Sequence, residues 1–135
     1  MRASLFFLSY ATSLVSAGCF GGGDSTTWEA DKFTALAAAQ RLCEDGTLSG
    51  GFAAGEVKSA CVNLSTLKKA NFYVRADNLV FPDTKLPLET GACTTRLHYE
   101  INGCDQGGES WHYIKDGDQN SANLLFTSDP NKGQC

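Results

Sequence analysis

The hydrophobic pattern along the chain predicts an α+β fold, a two-layer sandwich in which an antiparallel sheet is packed by two helices and stapled by disulfides. Three observations lead there. Apolar residues recur at helical spacing in two separate stretches, near 29–44 and 89–102. Alternating apolar and polar residues, the mark of a half-buried strand, come in pairs between and after those stretches. Six cysteines are spread from Cys19 to Cys135. At 135 residues one domain of ordinary size is expected, and 42% hydrophobic with 19% charged residues can furnish a core.

The chain starts like a targeting signal. Met1 and Arg2 are followed by the apolar run Leu5-Phe6-Phe7-Leu8 to Leu14-Val15, and then by the small residues Ser16 and Ala17. Cleavage after Ala17 is expected, leaving 18–135 as a single cysteine-rich domain. The apolar run is too short to span a bilayer, and nothing later reaches 18 uncharged residues, so the expected product is secreted and extracellular without membrane insertion. The whole chain carries 11 basic and 15 acidic residues, net −4, and loss of Arg2 makes the remainder more acidic. Without a basic excess the electrostatic drive for nucleic acid or anionic membranes is missing.

After Gly21-Gly22-Gly23, Thr26 with Glu29 three residues on has the spacing of a capping box, and a helix over Glu29–Glu44 should follow. Phe33, Leu36, Gln40 and Cys43 share one face, which is expected to bury Phe33 and offer Cys43 to a partner; Asp45-Gly46 ends the helix. Gly50-Gly51-Phe52 can add a short strand, with Gly55 at a turn or bulge. Val57–Leu64 and Ala70–Arg75 alternate and read as a hairpin turning at Ser65–Lys69. Its buried row is Ala60, Val62, Leu64, Ala70, Phe72 and Val74; its outward row is Asn63, Asn71, Tyr73 and Arg75. A proline-marked loop follows through Phe81-Pro82-Asp83 and Leu86-Pro87. The second helix spans roughly Glu89–Asn102, with Cys93, Leu97, Ile101 and Cys104 at helical spacing and Gly103 as the stop. Gly107-Gly108 reads as a turn rather than an anion cradle, since no phosphate-binding glycine pattern surrounds it. Ser110–Ile114 and Leu124–Thr127 are the last strands, separated by polar Lys115–Asn123. In the D-P-N-x-G segment Asp129, Pro130, Asn131 and Gly133 read as a turn that brings Cys135 to its bridge and pins the end of the chain.

In an oxidising compartment Cys19, Cys43, Cys61, Cys93, Cys104 and Cys135 favour three bridges, and six cysteines allow 15 connectivities. The rival, a zinc site, lacks any C-x₂-C spacing and has only His98 and His112 to call on, so neither metal nor cofactor is expected. Enzyme readings find little support. A ribonuclease could draw on Glu100, His98, His112 and Arg96, but His98 and Glu100 point apart on the predicted helix. A glycoside hydrolase would need a cleft with paired carboxylates that 118 residues leave little room to build. A nucleophilic serine elbow is absent, and a cysteine nucleophile would leave an odd thiol. A non-catalytic protein is expected.

Several residues together resemble the glycan-binding protein Y-three-like domain family of small secreted fungal proteins, across nearly the whole of 18–135. They are Cys19-Phe20, Trp28, Leu42-Cys43, Leu48-Ser49-Gly50-Gly51-Phe52, Cys61, and Cys93 with Leu97 and Glu100-Ile101-Asn102-Gly103-Cys104. Next come Gly107-Gly108-Glu109-Ser110 and Phe126, then the terminus Asp129-Pro130-Asn131-Lys132-Gly133-Gln134-Cys135. The resemblance implies a disulfide-bonded two-layer sandwich with carbohydrate-binding, lectin-like activity and no catalysis. The run Trp111–Asn120 departs from the family pattern, so a binding surface placed there is local to this chain.

Sugars present apolar C–H faces and many hydroxyls, so their sites pair an exposed ring with fixed planar polar groups. Trp111, His112 and Tyr113 lie beside Asp116, Asp118, Gln119 and Asn120, and alternation puts Trp111 and Tyr113 on one strand face with His112 on the other. The competing reading makes Trp111 and Tyr113 core residues. Tyr73 and Arg75, with Asn71, are a second candidate for glycan contact. Asn63-Leu64-Ser65 fits the N-glycosylation pattern and requires Asn63 to face solvent. The expected partners are glycans, free or on glycoproteins. The alternative is a secreted cysteine-rich effector or killer-toxin-like protein acting on a host or competitor protein.

Overall fold

The computed structural model describes residues 18–22, 26–79, 84–117 and 120–135. The expected signal segment 1–17, Gly23, the loop residues Phe81, Pro82 and Asp83, and the candidates Asp118 and Gln119 lie outside the described residues. The elements run β1 (Gly18–Cys19), a 3-10 turn (Glu29–Asp31), α1 (Lys32–Glu44), β2 (Gly50–Phe52), β3 (Val57–Ser65), β4 (Lys68–Asp77) and β5 (Leu86–Leu88). After these come α2 (Thr90–Gly103), β6 (Gly108–Asp116) and β7 (Asn120–Lys132). Five strands form an antiparallel sheet in the order β1-β6-β7-β4-β3, and β2 pairs with β5 in a separate two-stranded sheet. Both helices and the small sheet pack on one face of the larger sheet, which is the expected α+β sandwich.

Alternation builds the interface. Phe72, Val74 and Ala76 of β4 and Leu124 and Phe126 of β7 point to the helices, where they meet Leu97 and Ile101 of α2, with Trp28, Leu48, Phe52 and Leu86 closing the ends. Trp28 is drawn fully inward. Its backbone N–H donates to the Asp105 carbonyl at 3.0 Å and its Nε1 donates to the Cys104 carbonyl at 2.9 Å. The capping box does not form, because anchoring Trp28 turns Glu29 outward at φ 46, and neither helical start has a side-chain cap.

Three more expectations change. Phe33 is 81% exposed, and the buried face of α1 is Ala35, Ala38, Ala39, Leu42 and Cys43. Alanines carry no bulk between backbones, so the helix turns its small side toward α2 and the sheet and leaves Phe33 on the far side. Leu86-Pro87-Leu88 is a strand rather than loop, since Leu86 and Leu88 are buried while Pro87 occupies an edge position opposite Gly51, where a missing N–H is tolerated. The polar run Lys115–Asn123 is mostly strand, with β6 and β7 paired as far as Asp116 and Asn120. Likewise Asp129–Lys132 continue β7 instead of turning, and Gly133 at φ 95 makes the bend. Pro130 fits there because β6 stops pairing at Ser128, leaving that stretch of β7 with β4 as its ladder partner.

Three bridges form: Cys19–Cys104 ties β1 to the end of α2, Cys43–Cys93 joins the two helices, and Cys61–Cys135 joins β3 to the segment after β7. Among the described residues no cluster of His, Cys, Asp and Glu could hold a metal, and no helix is long and apolar enough to cross a membrane. Gly107 makes the turn into β6 at φ 73, where a Cβ would collide with the Ser128 carbonyl and stand 2.5 Å from Pro130 Cδ.

Candidate functional site

The side chains that alternate away from the helices form an open face of the larger sheet. Register lines them up in rows. Trp111 of β6, Leu125 of β7, Arg75 of β4 and Val57 of β3 make one row. Tyr113, Asn123 and Asp77 make the row on one side, and Glu109, Thr127, Tyr73 and Ser59 the row on the other. Trp111 is half-buried by its neighbours, whereas Tyr113 is 64% and Tyr73 41% exposed. No described helix covers these rows; the polar bonds from the sheet to α2, such as Ser128 Oγ to the Leu97 carbonyl at 3.0 Å, leave from the opposite face.

Arg75 unites the two candidate segments. Its strand lies two places from that of Trp111, about 10 Å by backbone spacing, and its side chain reaches over Leu125 to put Cζ 5.2 Å from the Trp111 ring centroid. Asp77 pairs with the same guanidinium at 3.2 Å. A cation over an indole at a part-exposed site contributes roughly 0.5–1 kcal/mol, and the arrangement keeps a planar, multi-donor group beside an aromatic ring. Thr127 Oγ1 donates to Glu109 Oε2 at 3.3 Å in the next row, so that carboxylate is also positioned. The face therefore offers ring surface together with fixed donors and acceptors.

Of the seven residues singled out for glycan contact, the structure brings Trp111, Tyr113, Tyr73 and Arg75 together here. His112, Asp116 and Asn120 belong to the other side. His112 is buried against Phe126, ring centroids 5.6 Å apart, and burial together with nearby Arg96 pushes its imidazole down to about 4. Asn120 is buried at the end of the β6–β7 hairpin, its amide atoms without hydrogen-bond partners among the described residues. Asp116 is exposed and lines a cavity of about 230 Å³ with Pro87, Glu89, Ala92 and Ile114. Asn63 is exposed on the outermost strand, as the strand register requires.

Glu100 and His112, both weighed for a ribonuclease, meet in a buried polar cluster through Ser110, a link the sequence reading does not draw. Ser110 Oγ donates to Glu100 Oε1 and lies 2.9 Å from His112 Nε2, with Ser110 and Glu100 fully enclosed. Burial raises the Glu100 carboxyl above its ordinary range, against the opposing pull of the Ser110 hydrogen bond. The signal was present: Glu100 falls in the apolar stripe of α2, and Ser110 shares the inward parity of His112. Serine stands between acid and imidazole here, whereas serine nucleophiles use the imidazole as the link between serine and acid. His98 turns away from this cluster and bonds the Leu36 carbonyl at 2.7 Å.

Compared with known proteins, the chain matches no family model and no curated protein sequence.

Proposed function

We propose that this is a secreted, non-catalytic carbohydrate-binding protein whose ligand lies on the open face of the sheet. The observation that carries the reading is the Arg75–Trp111 stack flanked by exposed Tyr73 and Tyr113. An aromatic ring takes the apolar face of a pyranose, and neighbouring Arg, Asp and Asn side chains match its hydroxyls. The resemblance to Y-three-like glycan-binding proteins supports the same reading, and three disulfides suit the oxidising compartment it requires. The Glu100–Ser110–His112 cluster is buried, with 0%, 0% and 6% of its residues' surfaces exposed, which favours binding without turnover.

The test is titration of the oxidised protein against an immobilised glycan library, beside Trp111→Ala and Arg75→Ala. Selective binding that falls at least ~10-fold in both variants, with unchanged circular dichroism, is the expected result. A signal kept in both variants moves the ligand off this face. Silence across the library favours the second reading, a protein-directed effector, for which exposed Phe33 and Leu67 are the observation.

A further inference from the structure

Among the described residues β3 is the outermost strand of the larger sheet, and no described strand pairs with the free edge of its nine residues, Val57–Ser65. Open edges of this length template pairing with a second copy of the same chain, and two copies of β3 could meet antiparallel about a two-fold axis. One end of the edge is already guarded. Lys58 is an inward-pointing charge on the edge strand, its Nζ 2.6 Å from the Ser49 carbonyl and 4.4 Å from the Phe52 ring centroid. At the other end the ladder is broken between Asn63 and Ser65, and that irregularity coincides with the acceptor tripeptide Asn63-Leu64-Ser65.

The Asn63 amide is unusually well disposed. Its Oδ1 accepts the backbone N–H of Cys135 at 2.8 Å, and the Cys61–Cys135 bridge holds that N–H in place two residues away on the same strand face. Among the described residues Nδ2 has no hydrogen-bond partner, and the side chain is exposed. Asn63 also borders a groove of about 290 Å³ between α1 and β3, lined with Thr34, Ala37, Arg41 and Val62, with room for a first sugar ring.

We propose that Asn63 carries an N-linked glycan that closes the open edge of β3 and keeps the protein monomeric. The proposal rests on the secretion inferred above, because the donor is a lipid-diphosphate oligosaccharide of the secretory pathway. In the transfer a bond forms between Nδ2 and the anomeric carbon as the anomeric C–O bond to the diphosphate breaks. The lipid diphosphate leaves with the bonding pair, and the amide proton passes to it. Oδ1 takes no part, so the Cys135 hydrogen bond survives. Asn63 stands six residues along β3 from Val57, about 20 Å at strand rise, so the glycan leaves the Trp111 row open.

The experiment expresses the full chain, with residues 1–17, in a secreting eukaryotic host. Intact mass is read before and after peptide N-glycosidase treatment, and sedimentation across a concentration series gives the assembly state. Ser65→Ala removes the hydroxyl by which the acceptor tripeptide is recognised while leaving Asn63 and its bond to Cys135, and Asn63→Gln removes the acceptor amide itself. The expected result is one glycan-sized mass increment lost in both variants and on enzymatic release, with self-association at least ~10-fold tighter once it is gone. Secreted protein with unmodified Asn63 overturns this proposal and leaves secretion standing. Unmodified chain retained in the cell overturns both, and a Ser65→Ala protein as monomeric as the glycosylated form overturns the edge-closing role.

Discussion

Glu100 interrupts an apolar stripe, and its cost and that of His112 have opposite dependence on pH. His112 has a depressed pKa, so the unfolded chain binds more protons than the native one between about 6.5 and about 4. Its contribution is intact above 6.5 and is lost as pH falls through that window, by on the order of 3 kcal/mol. Glu100 is raised, so its contribution is intact at acid pH and lost as pH rises through its native value. Urea unfolding from pH 3 to 8 is expected to show His112→Phe with a flattened acid limb and Glu100→Gln with gained stability near neutrality. An acid limb unchanged in His112→Phe assigns that limb to other groups. At this scale, sequence reading separates Trp111 and Tyr113 from His112 by parity, but parity does not say which side is core. That depends on where the helices sit.

Elements were largely legible because long periodic runs leave few alternatives. The β3–β4 hairpin, its outward row and α2 with Cys93 inside it and Cys104 just past its end all follow from spacing. The face of α1 did not, because alanine satisfies either side of a helix and the large Phe33 drew the reading toward itself. Phe33→Ser is therefore expected to change unfolding free energy by less than ~0.5 kcal/mol, whereas Leu42→Ala should cost ~2–4 kcal/mol; denaturant midpoints at constant slope decide between them. The Leu86-Pro87-Leu88 strand was hidden by its proline, and only pairing with Gly50–Phe52 explains it. Local patterns cannot reveal a partner that far along the chain.

In the molecule as a whole, the bridges span separations of 85, 50 and 74 residues, so each removes long-loop freedom from the unfolded chain, on the order of 4 kcal/mol apiece in the chain-entropy account. Their number was legible from the cysteine count; their pairing was not, since it depends on which elements meet. They differ in access. Cys43 and Cys93 are both fully buried between the helices, while Cys61 and Cys135 are both exposed. Mild reductant under native conditions should open Cys61–Cys135 well before Cys43–Cys93, read by alkylation and peptide mass mapping; simultaneous loss of both would mean that reduction follows global unfolding.

The chain has two tryptophans, and the fold sends them to opposite situations: Trp28 is sealed in the core at 1% exposure, and Trp111 stands half-open on the sheet face beneath Arg75. The protein thus contains a matched pair of optical reporters. A collisional quencher such as acrylamide should extinguish Trp111 emission while sparing Trp28, and a sugar seated on the face should shield the first without disturbing the second. Emission from Trp28 would shift only when the core itself opens, so one unlabelled sample separates occupancy from unfolding.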